Sequence, residues 1–153
     1  MPTQTNEQAL EAAIEKKLTG SCLEELKQQG DVQERAEVYR SGNGYYMGYA
    51  NDFNTKYAID EVRFWHFLAT TQAEELAKIQ KQNDWKLKIL DRLDRMIKKY
   101  GVVKLLRKGL DVDDAHFTLF YVLPLASSSQ SVKDNFDNNE FSVTRQLRYS
   151  LTN

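Results

Sequence analysis

The stretch FSVTRQLRYSLTN, residues 141–153, alternates with a period of two: Phe141, Val143, Leu147, Tyr149 and Leu151 are apolar, and Ser142, Thr144, Gln146, Arg148 and Ser150 between them are polar. Successive side chains of a strand point to opposite faces, so the pattern describes a half-buried β-strand that needs a partner for its backbone groups. Only Arg145 breaks the rhythm, placing a charge in the apolar register. Thr152 and Asn153 alone follow Leu151, too few residues to turn back as a partner, so the chain is expected to be a piece whose sheet continues elsewhere.

With 153 residues the chain is long enough for one domain with its own core, and a single domain over 1–153 is expected. TNEQALEAAIEKKLTG predicts a helix with a capping box at Thr5 and Gln8, an apolar stripe of Leu10, Ile14 and Leu18, and a stop at Gly20. SCLEELKQQG predicts a second, with Ser21 and Glu24 as cap partners and Gly30 as terminator. RAEVYR suits a short strand, and the glycines and tyrosines of SGNGYYMGYANDFN suit an irregular connection.

From Thr55 to Lys108 the reading is helical nearly throughout. TKYAIDEVRFWHFLATTQ carries Tyr57, Phe64, Trp65 and Phe67, Thr71 and Glu74 recap AEELAKIQKQ, and a third helix starts at Asn83 or Asp84. In that third helix Trp85, Ile89, Leu93, Met96, Ile97 and Tyr100 recur at spacings of three and four up to Gly101. VVKLLRKGL closes at Gly109 and DVDD forms a polar corner. HFTLFYVLP then reads as a strand covered on both faces and closed by Pro124. SSSQSVKDNFDNNE reads as a mobile polar loop joining it to the terminal strand in a hairpin. Helices first and strands after define an α+β chain.

Several chemistries find no support. One cysteine, Cys22, excludes an internal disulfide and a cysteine-rich zinc site, and His66 and His116 do not form a helical metal-binding pair. His66 in RFWHFL reads as a core histidine. GNGYYMG lacks the Lys-Ser/Thr pair of a phosphate loop, and packing accounts for its tyrosines better than base stacking. Asp111, Asp113 and Asp114 lack the glycine and terminal glutamate of a calcium loop. Glu7, Glu11 and Glu15 share one helix face that reads first as a solvated surface. No apolar run is long enough to span a bilayer and the N-terminus has no secretory signal, so a cytoplasmic protein without a membrane role is expected. The net charge of −1 neither favours nor forbids a nucleic-acid partner.

Read in order, NEQALEAAIEKKL, FWHFLATTQAEEL, GVVKLLRKGL and above all NEFSVTRQLRYS resemble the N-terminal region of the R (restriction, HsdR) subunit of type I restriction-modification enzymes. The resemblance implies a helical lead-in followed by strands of an incomplete restriction-endonuclease-like PD-(D/E)xK domain. In that family the strand is followed by a D-x-V-x-F-x-N-G-x-P segment and then E-L-K, and this chain ends before either. It implies an intact subunit that cleaves DNA using Mg²⁺ and ATP, beside methyltransferase and specificity subunits, and a piece that is inactive alone with no cofactor bound. Glu11, with Glu7 as second choice, matches the first-helix glutamate that borders the metal site, while the main catalytic groups are expected beyond Asn153. Arg145 and Arg148 are candidate phosphate contacts. The alternatives are a non-catalytic α+β protein-interaction module, or a DNA-binding module that uses Arg145, Arg148 and the loop tyrosines.

Overall fold

The computed structural model describes residues 2–29 and 44–145. The fold is α+β. Within the span expected to be one domain, the described residues form two compact units, one drawn from Met1–Val62 and Glu140–Asn153 and the other from Arg63–Asn139.

The first unit contains α1 (Pro2–Thr19), α2 (Leu23–Gln29), β1 (Tyr45–Gly48), β2 (Phe53–Asn54), β3 (Ile59–Asp60) and, from the far end of the chain, a strand at Phe141–Thr144. That last strand, β6 in chain order, pairs in parallel with β1, running from Tyr45 opposite Phe141 to Gly48 opposite Thr144. Tyr45–Gly48, inside the stretch expected to be an irregular connection, is therefore a strand, and two features explain it. Met47 is fully buried, and the missing side chain of Gly48 lets the strands approach, since a Cβ there would lie 2.1 Å from Thr144 Oγ1. The rings of Tyr45 and Phe141 meet across the pair at 5.5 Å. RAEVYR and the residues after Arg145 lie outside the described residues.

Local chemistry corrects two further expectations in this unit. The helix begins at Pro2, so Thr5 and Gln8 lie inside it and do not form its cap; proline suits a first turn because its absent N–H would have no partner there. Helical structure also does not resume at Thr55. Asn54 Oδ1 accepts the backbone N–H groups of Lys56 and Tyr57 and holds a turn, Ala58 takes a φ of 55°, and β2 and β3 pair antiparallel around it.

The second unit contains most of α3 (Glu61–Thr71) together with α4 (Ala73–Gln80), α5 (Trp85–Tyr100), α6 (Val102–Lys108), β4 (Leu110–Val112), β5 (Ala115–Phe117) and α7 (Gln130–Asp137). Its core is apolar. Phe67 and Leu68 of α3, Leu76 and Ile79 of α4, Ile89, Leu90 and Leu93 of α5, and Phe117 of β5 are all buried. Gly101 and Gly109 end α5 and α6 with φ of 83° and 80°, as the sequence led us to expect. Thr71 does not cap α4, because its hydroxyl donates to the Phe67 carbonyl one turn back. His66 is exposed, not part of the core.

The segment HFTLFYVLP is not a long covered strand. β5 ends at Phe117 and pairs antiparallel with β4 around Asp113, whose φ is 52°. Beyond it, side-chain amides take the place of a neighbouring strand. Gln72 accepts the Thr118 N–H at 2.6 Å and donates to its carbonyl at 2.8 Å. Asn139 does the same for Tyr121, at 3.0 and 2.7 Å. Val122, Leu123 and Leu125 remain 69%, 75% and 75% exposed. The polar stretch after them folds into α7, where Val132 and Phe136 fall one turn apart. The expected hairpin with the terminal strand does not form, since β5 pairs with β4 and β6 with β1.

Candidate functional site: a buried arginine among three glutamates

Along β6 the odd positions carry the apolar register, and Arg145 is the next odd position after Val143. The alternation places the guanidinium on the side of Val143, and its side chain is 4% exposed. Burying an unpaired charge is prohibitive, so the fold must supply acceptors. Arginine has five N–H donors, and five contacts meet them. Nη1 and Nη2 grip both carboxylate oxygens of Glu24 at 2.8 and 2.9 Å. Nη1 also donates to Glu15 Oε1 at 3.1 Å, Nε to Glu11 Oε2 at 3.3 Å, and Nη2 to the Gln8 carbonyl at 3.4 Å.

The helices are shaped to present these acceptors. Glu11 and Glu15 are four apart on α1 and share a face. Gly20, with φ of 91°, ends that helix and lets the chain turn so that Glu24 in the first turn of α2 reaches the same guanidinium. Glu15 joins the two helices directly, because its Oε1 also accepts the Leu23 N–H at 2.8 Å, satisfying a donor that the start of α2 would otherwise leave bare. Thr19 Oγ1 donates back to the Glu15 carbonyl at 2.8 Å. The other carboxylate oxygen, Glu15 Oε2, is buried and accepts no hydrogen bond among the described residues.

This arrangement departs from the amphipathicity expected of α1, whose stripe residue Leu18 is half-buried. Leu10 and Ile14, expected to face inward, are 61% and 47% exposed, while Glu15 and Thr19 are fully buried. The energetic cause is Arg145, which makes the acidic face the one that must be covered. Ser21 and Glu24 likewise do not form the expected cap. Ser21 donates weakly to Glu25 at 3.4 Å, and Glu24 is given over to Arg145.

The electrostatics follow the geometry. The hydrogen bonds from Arg145 hold the Glu24 carboxyl down at about 2, well below its ordinary value, against a smaller desolvation cost. The same bonds, from Glu24 first, raise the Arg145 pKa further above its already high ordinary value. Three carboxylates around one guanidinium leave a local excess of negative charge, yet each gives an oxygen to the guanidinium, whose positive charge occupies the centre of the cluster. They do not fit a Mg²⁺ ion as they stand, and among the described residues no group of three or more His, Cys, Asp or Glu side chains is arranged to hold a metal.

Of the residues singled out from the sequence, Glu11 and Arg145 come together, Glu7 lies exposed on α1, and Arg148 falls outside the described residues. Arg145 is turned away from solvent and its donors are engaged. Glu15 and Glu24, which the sequence presents as part of a solvated helix face and as a cap partner, are instead paired with Arg145, Glu15 in full burial. The signal for them was indirect, a charge in the apolar phase of the last strand that needed carboxylates from elsewhere. Elsewhere, His116 Nδ1 lies 2.6 Å from Asp111 Oδ1 across the β4–β5 hairpin, Asp113 accepts from Gln82 and Lys88, and Cys22 is buried as a free thiol. No helix among the described residues is long and apolar enough to cross a membrane. No family model, curated protein or solved structure matches the chain.

Proposed function

We propose that this chain is the N-terminal lead-in to the nuclease domain of a type I restriction R subunit, a restriction-endonuclease-like fold whose remaining strands follow Asn153. In this reading the intact subunit cleaves DNA with Mg²⁺ and ATP and works with methyltransferase and specificity subunits in the cytoplasm. The observation that carries it is the junction at Arg145, where the residue following a parallel-paired strand meets Glu11 and Glu15 of the first helix. Parallel strands belong to sheets covered on both faces, and functional groups of such sheets gather at the strands' carboxyl ends. Arg145 stands at that end of β6.

Phosphodiester hydrolysis needs a metal to generate the nucleophile and to neutralise charge developing on the phosphate. The glutamates around Arg145 are positioning residues in this account. They fix α1 and α2 to the strand, and the metal-holding aspartate and Glu-x-Lys are assigned to polypeptide beyond Asn153. The 153-residue chain should leave plasmid DNA intact in the presence of Mg²⁺, and robust metal-dependent cutting by it would contradict the reading. A version extended along its reading frame should cut, and should lose cutting when the added aspartate, glutamate or lysine is changed to alanine.

A second reading, a non-catalytic protein-interaction module, is favoured by the exposed Leu10 and Ile14 one turn apart on α1. It requires a stable complex with a protein partner that Leu10→Asp/Ile14→Asp abolishes while cleavage by the extended chain is unaffected.

A further inference from the structure

With Arg145 enclosed by carboxylates, the densest run of positive charge among the described residues lies in the second unit. Residues 85–108, covering α5 and α6, carry nine lysines and arginines against two aspartates, in a chain whose net charge is −1. Lys88, Arg92, Arg95 and Lys99 follow one another at intervals of four, three and four, which aligns them along one side of α5, opposite the buried Ile89, Leu90 and Leu93. At the corner between the helices Tyr100 is 44% exposed. Lys99 Nζ and Lys104 Nζ lie 5.1 and 4.3 Å from its ring centroid. At the other end of α5, Lys86 Nζ lies 5.6 and 5.4 Å from the rings of Trp65 and Trp85.

The plainest account of basic residues on helices is the macrodipole, which favours cations in the last turn. It explains Lys98, Lys99, Arg107 and Lys108. It does not explain Lys86, Arg95 or Lys104. Among the described residues Arg95, Lys104, Arg107 and Lys108 pair with no carboxylate. Cations interleaved with an exposed aromatic combine phosphate neutralisation with a stacking platform. We propose that the α5–α6 corner, centred on Arg95, Lys99, Tyr100 and Lys104, is a nucleic-acid contact surface, with the cations on backbone phosphates and Tyr100 against an unpaired base. Sixteen residues make α5 about 24 Å long, the span of roughly seven phosphates along one strand of a duplex. The proposal rests on the reading that DNA is the partner, and does not depend on where hydrolysis takes place.

The test is fluorescence anisotropy of the full chain with labelled oligo-dT and with a labelled duplex, over a salt series starting at about 50 mM. Both should bind. Lys99→Glu/Lys104→Glu should weaken binding about tenfold or more and lower the log–log salt slope by roughly two. Lys17→Glu/Lys27→Glu, exposed positions of α1 and α2 with the same change in net charge, should stay within roughly twofold of the unaltered chain. Tyr100→Ala should weaken oligo-dT by about fivefold or more and leave the duplex nearly unchanged. Absence of DNA binding at low salt, equal losses in the two double variants, or binding only to vesicles containing phosphatidylserine would overturn the proposal, the last marking the patch as a membrane surface. A reading frame that continues without an aspartate and Glu-x-Lys would defeat the nuclease assignment while leaving these binding results intact.

Discussion

The two units are held together by opposite means. In the second, buried apolar side chains come from α3, α4, α5 and the β4–β5 hairpin, with Phe117 fully buried. In the first, the fully buried side chains include Glu15 and Thr19, and Arg145 is inserted among glutamates from two helices. An apolar core is tolerant in kind, since hydrophobic residues of similar volume can replace one another at modest cost. A buried ion cluster is tolerant of almost nothing, because removing one partner leaves the other charge uncompensated. The first unit therefore depends on a single register, the one that brings residue 145 to the acidic face of α1.

This contrast can be broken from either side. The largest losses should come from Phe117→Ala, at about 3–5 kcal/mol from transfer and cavity terms, and from Arg145→Ala, at about 3–5 kcal/mol from the stranded carboxylates. Urea denaturation measures both. The difference between them lies in rescue: Phe117→Leu should recover much of its loss, whereas Arg145→Lys should recover little, because an ammonium cannot reproduce the bidentate grip on Glu24. Gly48→Ala should cost about 1–3 kcal/mol, the range for forcing extra atoms into a packed interior, because its Cβ would collide with Thr144 Oγ1. Combining it with Thr144→Ser should not relieve the cost, whereas Thr144→Ala should relieve part of it.

A smaller effect should come from pH. Glu24 is held at about 2 in the folded chain, against about 4.3 for an unfolded glutamate. A depressed carboxyl contributes stability that is complete above the unfolded value and disappears as pH falls through the folded one. Stability should therefore decline between about pH 5 and pH 2, and Glu24→Gln should flatten that decline. Because the Glu24 side chain is half exposed, solvent screening keeps its share well below what the shift alone would imply. At neutral pH, Lys98→Ala, which removes an exposed pair with Asp94, should change stability by less than about 0.5 kcal/mol.

How much of this was legible follows the same division. The ends of α5 and α6 at Gly101 and Gly109 and the apolar spacing of Ile89 and Leu93 are local signals, and the structure matches them. β1 was not legible because Tyr45–Gly48 becomes a strand only when Phe141–Thr144 arrives beside it from the other end of the chain. α7 was obscured by its polarity, with only Val132 and Phe136 to mark a face. For the site, the sequence flagged Arg145 as the residue out of phase and Glu11 as a carboxylate of interest. It could not show that they touch. The apolar stripe of Leu10 and Ile14 pointed the wrong way because periodicity counts hydrophobic residues, and the decisive demand on α1 came from a buried cation.

A double-mutant cycle between Glu15 and Arg145 tests the account most directly. Glu15→Leu, Arg145→Met and the double variant are compared by urea denaturation at pH 7 and again at high salt, where a buried pair should be little screened. The account predicts two costly single variants and a double variant that regains about 2 kcal/mol or more relative to their sum. Additivity within about 0.5 kcal/mol would contradict it, since it would mean that the two side chains do not meet in the folded protein.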